Sequence, residues 1–378
     1  MKPDTEFLIL GGGIAGLATA IALQKMGKQT LVAEAAESLR PVGAGIALAA
    51  NAIKALTKLG VAENVIPRGR RLNDFSIYDE KGKLISKTHA DNPEYGNFTI
   101  HRADLHAVLL SSLKPEILLT GKRTTRFEID SSVHTVFFED GTSLSASSLI
   151  VAEGVHSPIR RQLIPDSSPR FAGYTCWRGI ADNATLRLEE TSESWGRKGR
   201  FGVVPLNHDQ IYWFACVNAP HPNSNKKHFT KKDLEEVFGG FHGPIPEVLS
   251  TTQADRILWN DIYDLRPLSH FAFGNVLLVG DAAHATTPNM GQGACMALED
   301  AAILMACLKN QKTSAAFLDF EKRRLSRTRE IVQQSWILGK IAQTENRWAI
   351  WLRNSAFSAM PASINKRQLE KLYQVDLD

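Results

Sequence analysis

Phe7-Leu8-Ile9-Leu10-Gly11-Gly12-Gly13-Ile14-Ala15-Gly16 joins an apolar run, a glycine turn and the start of an alanine-rich stretch. The apolar run reads as a short buried strand, and Ile14 to Met26, closing at Gly27, reads as a helix. Thr30 to Ala33 forms a second strand that ends at Glu34. Together they make a βαβ unit, the seed of a helix-covered parallel sheet. The glycines fall as Gly11-x-Gly13-x-x-Gly16 between strand and helix, the context in which this spacing cradles a dinucleotide. Gly11 permits the tight turn, Gly13 lets backbone N–H groups approach a pyrophosphate, and Gly16 lets helix and strand pack closely. The helix N-terminus adds about half a positive charge toward the phosphates. Glu34 is placed to accept from both ribose hydroxyls, and its charge repels a 2′-phosphate. FAD or NAD therefore fits, and NADP does not.

A second motif lies near the other end of the chain. Val276 to Val279 reads as a buried strand running into Gly280-Asp281-Ala282-Ala283-His284, then Pro288-Asn289-Met290-Gly291-Gln292-Gly293-Ala294 and a helix through Leu298-Glu299-Asp300. An Asp at a strand's C-terminal edge bonds a sugar-alcohol hydroxyl where open α/β folds place ligands; its alternative role is a helix cap. The free N–H groups of the following helix face a place that holds negative charge, as the N1/C2 carbonyl edge of a reduced flavin requires. With the first glycine loop, this second turn points to FAD. His284 reads as a packing and hydrogen-bonding residue rather than an acid or base. Arg102, just before a helix, is a donor to phosphate or to the ribityl side, or else a surface arginine.

The rest of the chain bounds the class. Its 378 residues suffice for two cored units, and a net charge of +4 is weak. With no Lys/Arg block interleaved with aromatics, nucleic acid is not an expected partner. Cys176, Cys216, Cys295 and Cys307 lack metal or redox spacing and read as small core residues in a reducing compartment. The apolar stretch Phe7–Leu23 carries central glycines and preceding acids, so strand, turn and helix explain it better than a signal sequence. No apolar run reaches membrane-spanning length, and a cytoplasmic protein without stable membrane insertion is expected. Alternating aromatic and β-branched residues from Phe171 to Tyr263 predict an antiparallel sheet, and Phe75–Tyr78 with Leu84-Ile85 predicts a hairpin. The fold class expected is α/β: a Rossmann-like FAD-binding domain (1–72, 98–170, 265–378) with an inserted, mainly antiparallel substrate sheet (hairpin 73–97, then 171–264) and a helical C-terminus. Glu321-Lys322-Arg323-Arg324 with Arg327 and Arg329 reads as a solvated helix face.

Gly11–Gly16, Arg102 with Leu105, Val151-Ala152-Glu153-Gly154 with Ser157 and Arg160, and Gly280–Gly293 together resemble the motifs of the single-component FAD-dependent aromatic hydroxylases, in matching order over nearly the whole chain. With Asp261-Ile262-Tyr263-Asp264, they look closest to the branch holding urate hydroxylase, salicylate hydroxylase and zeaxanthin epoxidase. The family's Asp-Gly appears here as Glu153-Gly154, which keeps the charge and lengthens the reach by one methylene. The resemblance implies an NAD(P)H-dependent flavoprotein monooxygenase: NADH or NADPH reduces FAD, O₂ adds at C4a, and the C4a-peroxyflavin passes one oxygen to a small aromatic or heteroaromatic substrate. No separate nucleotide domain for NAD(P)H is expected, since one glycine loop is visible. The implied cofactor-binding set is Gly11, Gly13, Ile14, Ala15, Gly16, Glu34, Ala35, Gly45, Arg102, Thr124, Glu153, Asp281, Pro288, Gly291, Gln292, Gly293 and Ala294. On the substrate side, Arg200 holds an anionic or carbonyl group and Tyr212 orients it, against the alternatives of an exposed Arg and a core Tyr. Pro288 lies over the flavin edge near the oxygen site. Trp177 and Trp213 read as wall or core. Competing readings are an isoprenoid or polyene epoxidase, a non-oxygenating flavoprotein reductase, and a non-catalytic binding protein on the same fold. Monomer and homodimer both remain open.

Overall fold

The computed structural model describes residues 3–39, 44–72, 74–89, 97–130 and 133–378. Residues 73 and 90–96, at the edges of the expected hairpin segment, lie outside the described residues. The first sheet has eight strands. Thr5–Leu10 is central, with parallel neighbours Ser143–Val151 and Thr30–Ala33, and Val276–Leu278 runs parallel beyond Ser143–Val151. Strands enclosed on both faces need apolar residues throughout, and Phe7 to Leu10 are all fully buried. Register decides the site. Leu10 lies opposite both Val151 and Ala33, and Val151 lies opposite Leu278. Gly11, Glu34, Glu153 and Asp281 therefore emerge along one edge, where parallel sheets bind ligands. Thr124–Asp130 and Val133–Phe138 extend the Ser143–Val151 side as an antiparallel meander.

Helices Ile14–Lys25 and Gly293–Leu308 pack together, and the long helix Thr313–Ala342 packs on the second of them. Both packed helices are rich in alanine, which allows their close approach. The face expected to be solvated on Thr313–Ala342 is partly the reverse. Arg324 is fully buried against Glu299 and Asp300, and Glu321 accepts from the backbone N–H groups of Phe271 and Ala272. Charged residues stay inside here because each finds an opposite charge or a backbone donor.

The second sheet orders seven strands as Leu258–Asp264, Arg170–Asp182, Gln210–Asn218, Arg200–Pro205, Thr191–Trp195, Asp74–Asp79 and Leu84–His89. All its pairs are antiparallel except Thr191–Trp195 with Asp74–Asp79, which joins the early hairpin to the later strands. Helices Lys231–Phe238 and Ile245–Thr251, which alternation did not foretell, cover one face. Trp177, Phe201 and Trp213 are buried there with Leu234, Phe238 and Val248. Period two sends Tyr174, Cys176, Arg178, Arg200, Tyr212, Phe214 and Cys216 to the opposite face, which looks toward the first sheet. Two further helices, Arg347–Ser358 and Ala362–Tyr373, close the chain. Among the described residues no helix is long and apolar enough to cross a membrane.

Candidate active site

A cavity of about 1610 Å³ runs from the glycine loop to the second sheet. That exceeds the roughly 300–1,000 Å³ of an ordinary small-molecule pocket, leaving room for a dinucleotide and a second molecule. Every residue of the cofactor set named from sequence lines it, with one exception: Gly16. A Cβ on Gly16 would stand 1.8 Å from the Gly11 carbonyl oxygen, so its part is to let helix and loop touch. Gly11, at φ +103°, is pressed by the Ala152 carbonyl, 2.5 Å from where a Cβ would be. Gly13 has nothing within 4 Å on that side. Its open face leaves the backbone there accessible from the cavity.

Glu34 is more occupied than the sequence suggests. Its Oε2 accepts from Gly12 N–H at 2.6 Å and its Oε1 from Ala36 N–H at 2.8 Å. The carboxylate braces the loop, and each oxygen keeps a lone pair for a ribose hydroxyl. His106 donates through Nε2 to the Gly12 carbonyl at 2.8 Å from the other side, a clamp with no local sequence signal.

The neighbouring strand ends in Glu153, which is largely enclosed; burial pushes its carboxyl above the usual range despite hydrogen bonds from Ser157 and Thr124. Ser157 donates to it at 2.6 Å. Arg160 is fully buried and bonds the carbonyls of Gly154, Val155 and Ala282. It therefore staples the Glu153 loop to the turn after Asp281. Gly280 has φ +57°, and a Cβ there would lie 2.6 Å from Ala15 Cβ, so the two motif loops touch. Asp281 faces the cavity but is otherwise walled in; this enclosure raises its carboxyl, while His284 and Arg102 pull it down.

Gly291 at φ +63° turns the chain into helix Gly293–Leu308, whose start has no side-chain cap. Its unpaired N–H groups face the cavity, as an anion-holding helix end requires. Buried polar residues fix this turn from behind. Asn51 donates to Gln292 at 2.9 Å and to Glu299 at 2.6 Å. Asp300 accepts from Gly280 N–H at 2.8 Å and is joined to His284 at 2.7 Å. His284 is thus buried in this scaffold and does not line the cavity.

The opposite wall is the second sheet. Arg200 is 3% exposed, so it is no surface residue, and it is already engaged. It pairs with Glu193 at 2.9 Å, bonds Asn289, and reaches the Tyr174 hydroxyl at 3.5 Å; its Nε–H has no partner among the described residues. Tyr212 packs its ring on Gly45, where a Cβ would come within 2.6 Å, and so ties the second sheet to the small three-stranded sheet that holds strand Gly45–Leu48. Burial holds its phenol protonated despite the neighbouring Arg178 guanidinium. Arg178, Glu193, Asn260 and Asn289 also line the wall and were not singled out from sequence. Arg178 was findable, since it shares the strand face of Tyr174 and Cys176. All four cysteines are free and buried, and Cys176 and Cys216 also touch the cavity.

Fold and site together define a flavoprotein whose cofactor domain and second sheet enclose one chamber. The FAD binding domain family model matches residues 4–335, and the chain belongs to that family. It is an FAD-dependent monooxygenase, related to hydroxylases of aromatic and heteroaromatic compounds, in a family whose usual co-substrate is NADH or NADPH. It is 37% identical over 371 residues to the aurachin C monooxygenase/isomerase of Stigmatella aurantiaca, covering 95% of each chain. It is 32% identical over 371 residues to the 2-heptyl-3-hydroxy-4(1H)-quinolone synthase of Pseudomonas aeruginosa, covering 97% of each. Klebsiella pneumoniae HpxO complexed with FAD and uric acid superposes with a TM-score of 0.88 at 26% identity, over 98% of this chain and 97% of that one.

Proposed function

We propose that this enzyme uses NADH or NADPH and O₂ to hydroxylate the ring of a planar heteroaromatic of the 4-quinolone type that carries an apolar chain. The observation that carries this reading is the shape of the chamber. Tyr212, Phe214 and Val204 offer flat apolar walls beside the donors Arg178 and Arg200, and the lining continues through Phe75, Ile77, Phe357, Leu369 and Leu372. A ring with a carbonyl or acidic N–H suits the first part, and an alkyl chain suits the second. The quinolone synthase named above supports the same class.

When bound, FAD would supply the redox chemistry, passing two electrons from the nicotinamide to O₂ so that one oxygen atom enters the ring and the other leaves as water. The chain supplies binding, orientation and exclusion of water. Gly11, Gly13, Ile14 and Ala15 hold the pyrophosphate, Glu34 and Ala35 the adenosine ribose, and Arg102, Thr124, Glu153 and Asp281 the middle of the cofactor with Gly45. Pro288, Gly291, Gln292, Gly293 and Ala294 hold its ring end, where the helix N-terminus favours negative charge. The Tyr212 hydroxyl donates to the substrate carbonyl, and Arg200 sets the local positive potential through its free Nε–H. The FAD unit comprises 1–72, 98–170 and 265–378; the substrate unit comprises 73–97 and 171–264.

The test is substrate-dependent NAD(P)H oxidation by the FAD-loaded enzyme with 2-alkyl-4-quinolones, urate and hydroxybenzoates, scored for H₂O₂ release and for label from ¹⁸O₂. Tight coupling and one labelled oxygen in a quinolone product are expected. Reduction without label in any product would make it a reductase instead.

A further inference from the structure

Helix Arg347–Ser358 has two faces of different kind. Inward, Arg353 is buried and donates to the Ala342 carbonyl at 3.0 Å, and Phe357 meets Trp195 edge-on at 5.3 Å. Outward, Trp348, Trp351 and Leu352, at helical spacing, are 81%, 65% and 63% exposed. Large aromatic residues on one outward face are an expense for a protein that meets only water. The next helix adds Ile364, 45% exposed. Charge singles out the occupant. Between Glu345 and Glu370 the sequence holds no acidic residue, and Arg347 and Arg367 are exposed. Tryptophan and leucine flanked by arginines suit the boundary of an anionic bilayer, where an indole sits at headgroup depth and cations meet phosphates.

The helices that carry this face are also walls of the chamber. Phe357 from the inner side of the first, and Gln368, Leu369 and Leu372 from the second, line the cavity. We infer that the face formed by Trp348, Trp351 and Leu352 docks the enzyme on anionic lipid surfaces and opens the chamber toward the bilayer, from which an apolar substrate enters. The docking stands on the helix alone; the delivery step rests on the substrate class proposed above.

The two are separable by experiment. The FAD-loaded full chain is mixed, without substrate, with vesicles of phosphatidylcholine or of phosphatidylcholine containing about a third phosphatidylglycerol. Co-sedimentation and a blue shift of tryptophan emission are read. Binding to the anionic vesicles, weakened by salt, is expected, with W348S/W351S/L352S at least roughly tenfold weaker. W348F/W351F, which keeps the apolar face, should retain most of the binding. Unchanged flavin content and melting temperature of the triple variant show that it is folded. An enzyme that stays in solution with both vesicle types overturns the inference. So does a triple variant that binds as well as its parent, or a homodimer that the triple substitution dissociates while vesicles are ignored. In that last case a second copy covers the face. Delivery is then read as turnover of a vesicle-loaded long-chain quinolone, which the triple variant should lose while turning over a short-chain quinolone in solution as its parent does. Equal loss on both overturns delivery, and no turnover of either by the parent refutes the substrate class while leaving the vesicle result intact.

Discussion

Replacing Arg324 with methionine tests how the cofactor loops are held in place. Arg324 is fully buried and donates through Nε to Asp300 at 2.7 Å and through a terminal nitrogen to Glu299 at 2.5 Å. Methionine keeps much of the volume and leaves both carboxylates without that cation. Breaking a buried pair from one side costs about 3–5 kcal/mol. Glu299 keeps two bonds from Arg327 and one from Asn51, whereas Asp300 keeps only His284 and the Gly280 N–H. Most of the loss therefore falls on Asp300, and the lower end, about 3 kcal/mol, is expected. Burial alone would raise the Asp300 carboxyl, but His284 and Arg324 hold it below its usual range, and the arginines do the same for Glu299. A carboxylate held low in the folded state adds stability above its unfolded pKa, near 4, and that stability is lost as pH falls through the folded value. Without Arg324 this depression shrinks, so the deficit against the parent should be full near pH 7 and smaller near pH 4 as protons neutralise the stranded groups. Urea unfolding at both pH values, with flavin content measured in parallel, reads the effect. A deficit under about 1 kcal/mol near neutrality, the size of a surface pair, or one that does not change with pH, would refute the reasoning.

Removing Glu34 or Asp281 by alanine should weaken FAD retention roughly ten- to a hundredfold, as expected for loss of a charge-assisted hydrogen bond; full flavin occupancy in both purified variants would remove them from the cofactor site. Gly16→Ala drives a Cβ into the Gly11 carbonyl and should abolish soluble folded protein, while Gly13→Ala points into open space and should lower FAD affinity with little change in the unfolding of the flavin-free chain. Equal destabilisation by the two substitutions would contradict the division of labour between these glycines. Arg200→Ala should keep the flavin spectrum and lose substrate-stimulated NAD(P)H oxidation, and pairing it with Glu193→Gln should recover stability without recovering activity. Flavin loss in the single variant would instead assign Arg200 to the cofactor.

Legibility followed the range of the interactions. The glycine loop and the strand-end acids could be read because strand, turn and helix are local, and because a parallel register carries Leu10, Ala33, Val151 and Leu278 to one edge. The run from Glu321 to Arg329 could not. Its charges carry the same helical spacing whether water or another helix lies opposite, and only packing against Gly293–Leu308 reveals that Arg324 is inside. The helices Lys231–Phe238 and Ile245–Thr251 were hidden for a related reason. They are only eight and seven residues long and stand between strands with clear alternation, so the whole stretch read as strands. On the substrate wall, Arg200 and Tyr212 were named by resemblance, whereas the Glu193 pairing depends on two strands meeting and leaves no trace in either segment alone.

Asn289 shows why the two sheets work as one site. Its Oδ1 accepts from the Tyr174 hydroxyl at 3.1 Å and from Arg200, both on the second sheet. Its Nδ2 donates to Thr287 at 2.8 Å and to the Ser335 carbonyl at 2.9 Å on the long helix. All four capacities of the amide are therefore used, and the residue sits between Pro288 and Gly291, in the turn that starts the helix facing the cavity. Gly339 admits it, since a Cβ there would lie 2.3 Å from Nδ2. Any shift of Arg200 toward a ligand on the sheet must break, stretch or carry with it this amide, and through it the Pro288 turn. The second-sheet wall and the Pro288 turn are thus coupled by one side chain with no slack in its hydrogen bonding, which, on the assignment proposed above, is a physical route by which substrate binding alters the setting of the flavin's ring end.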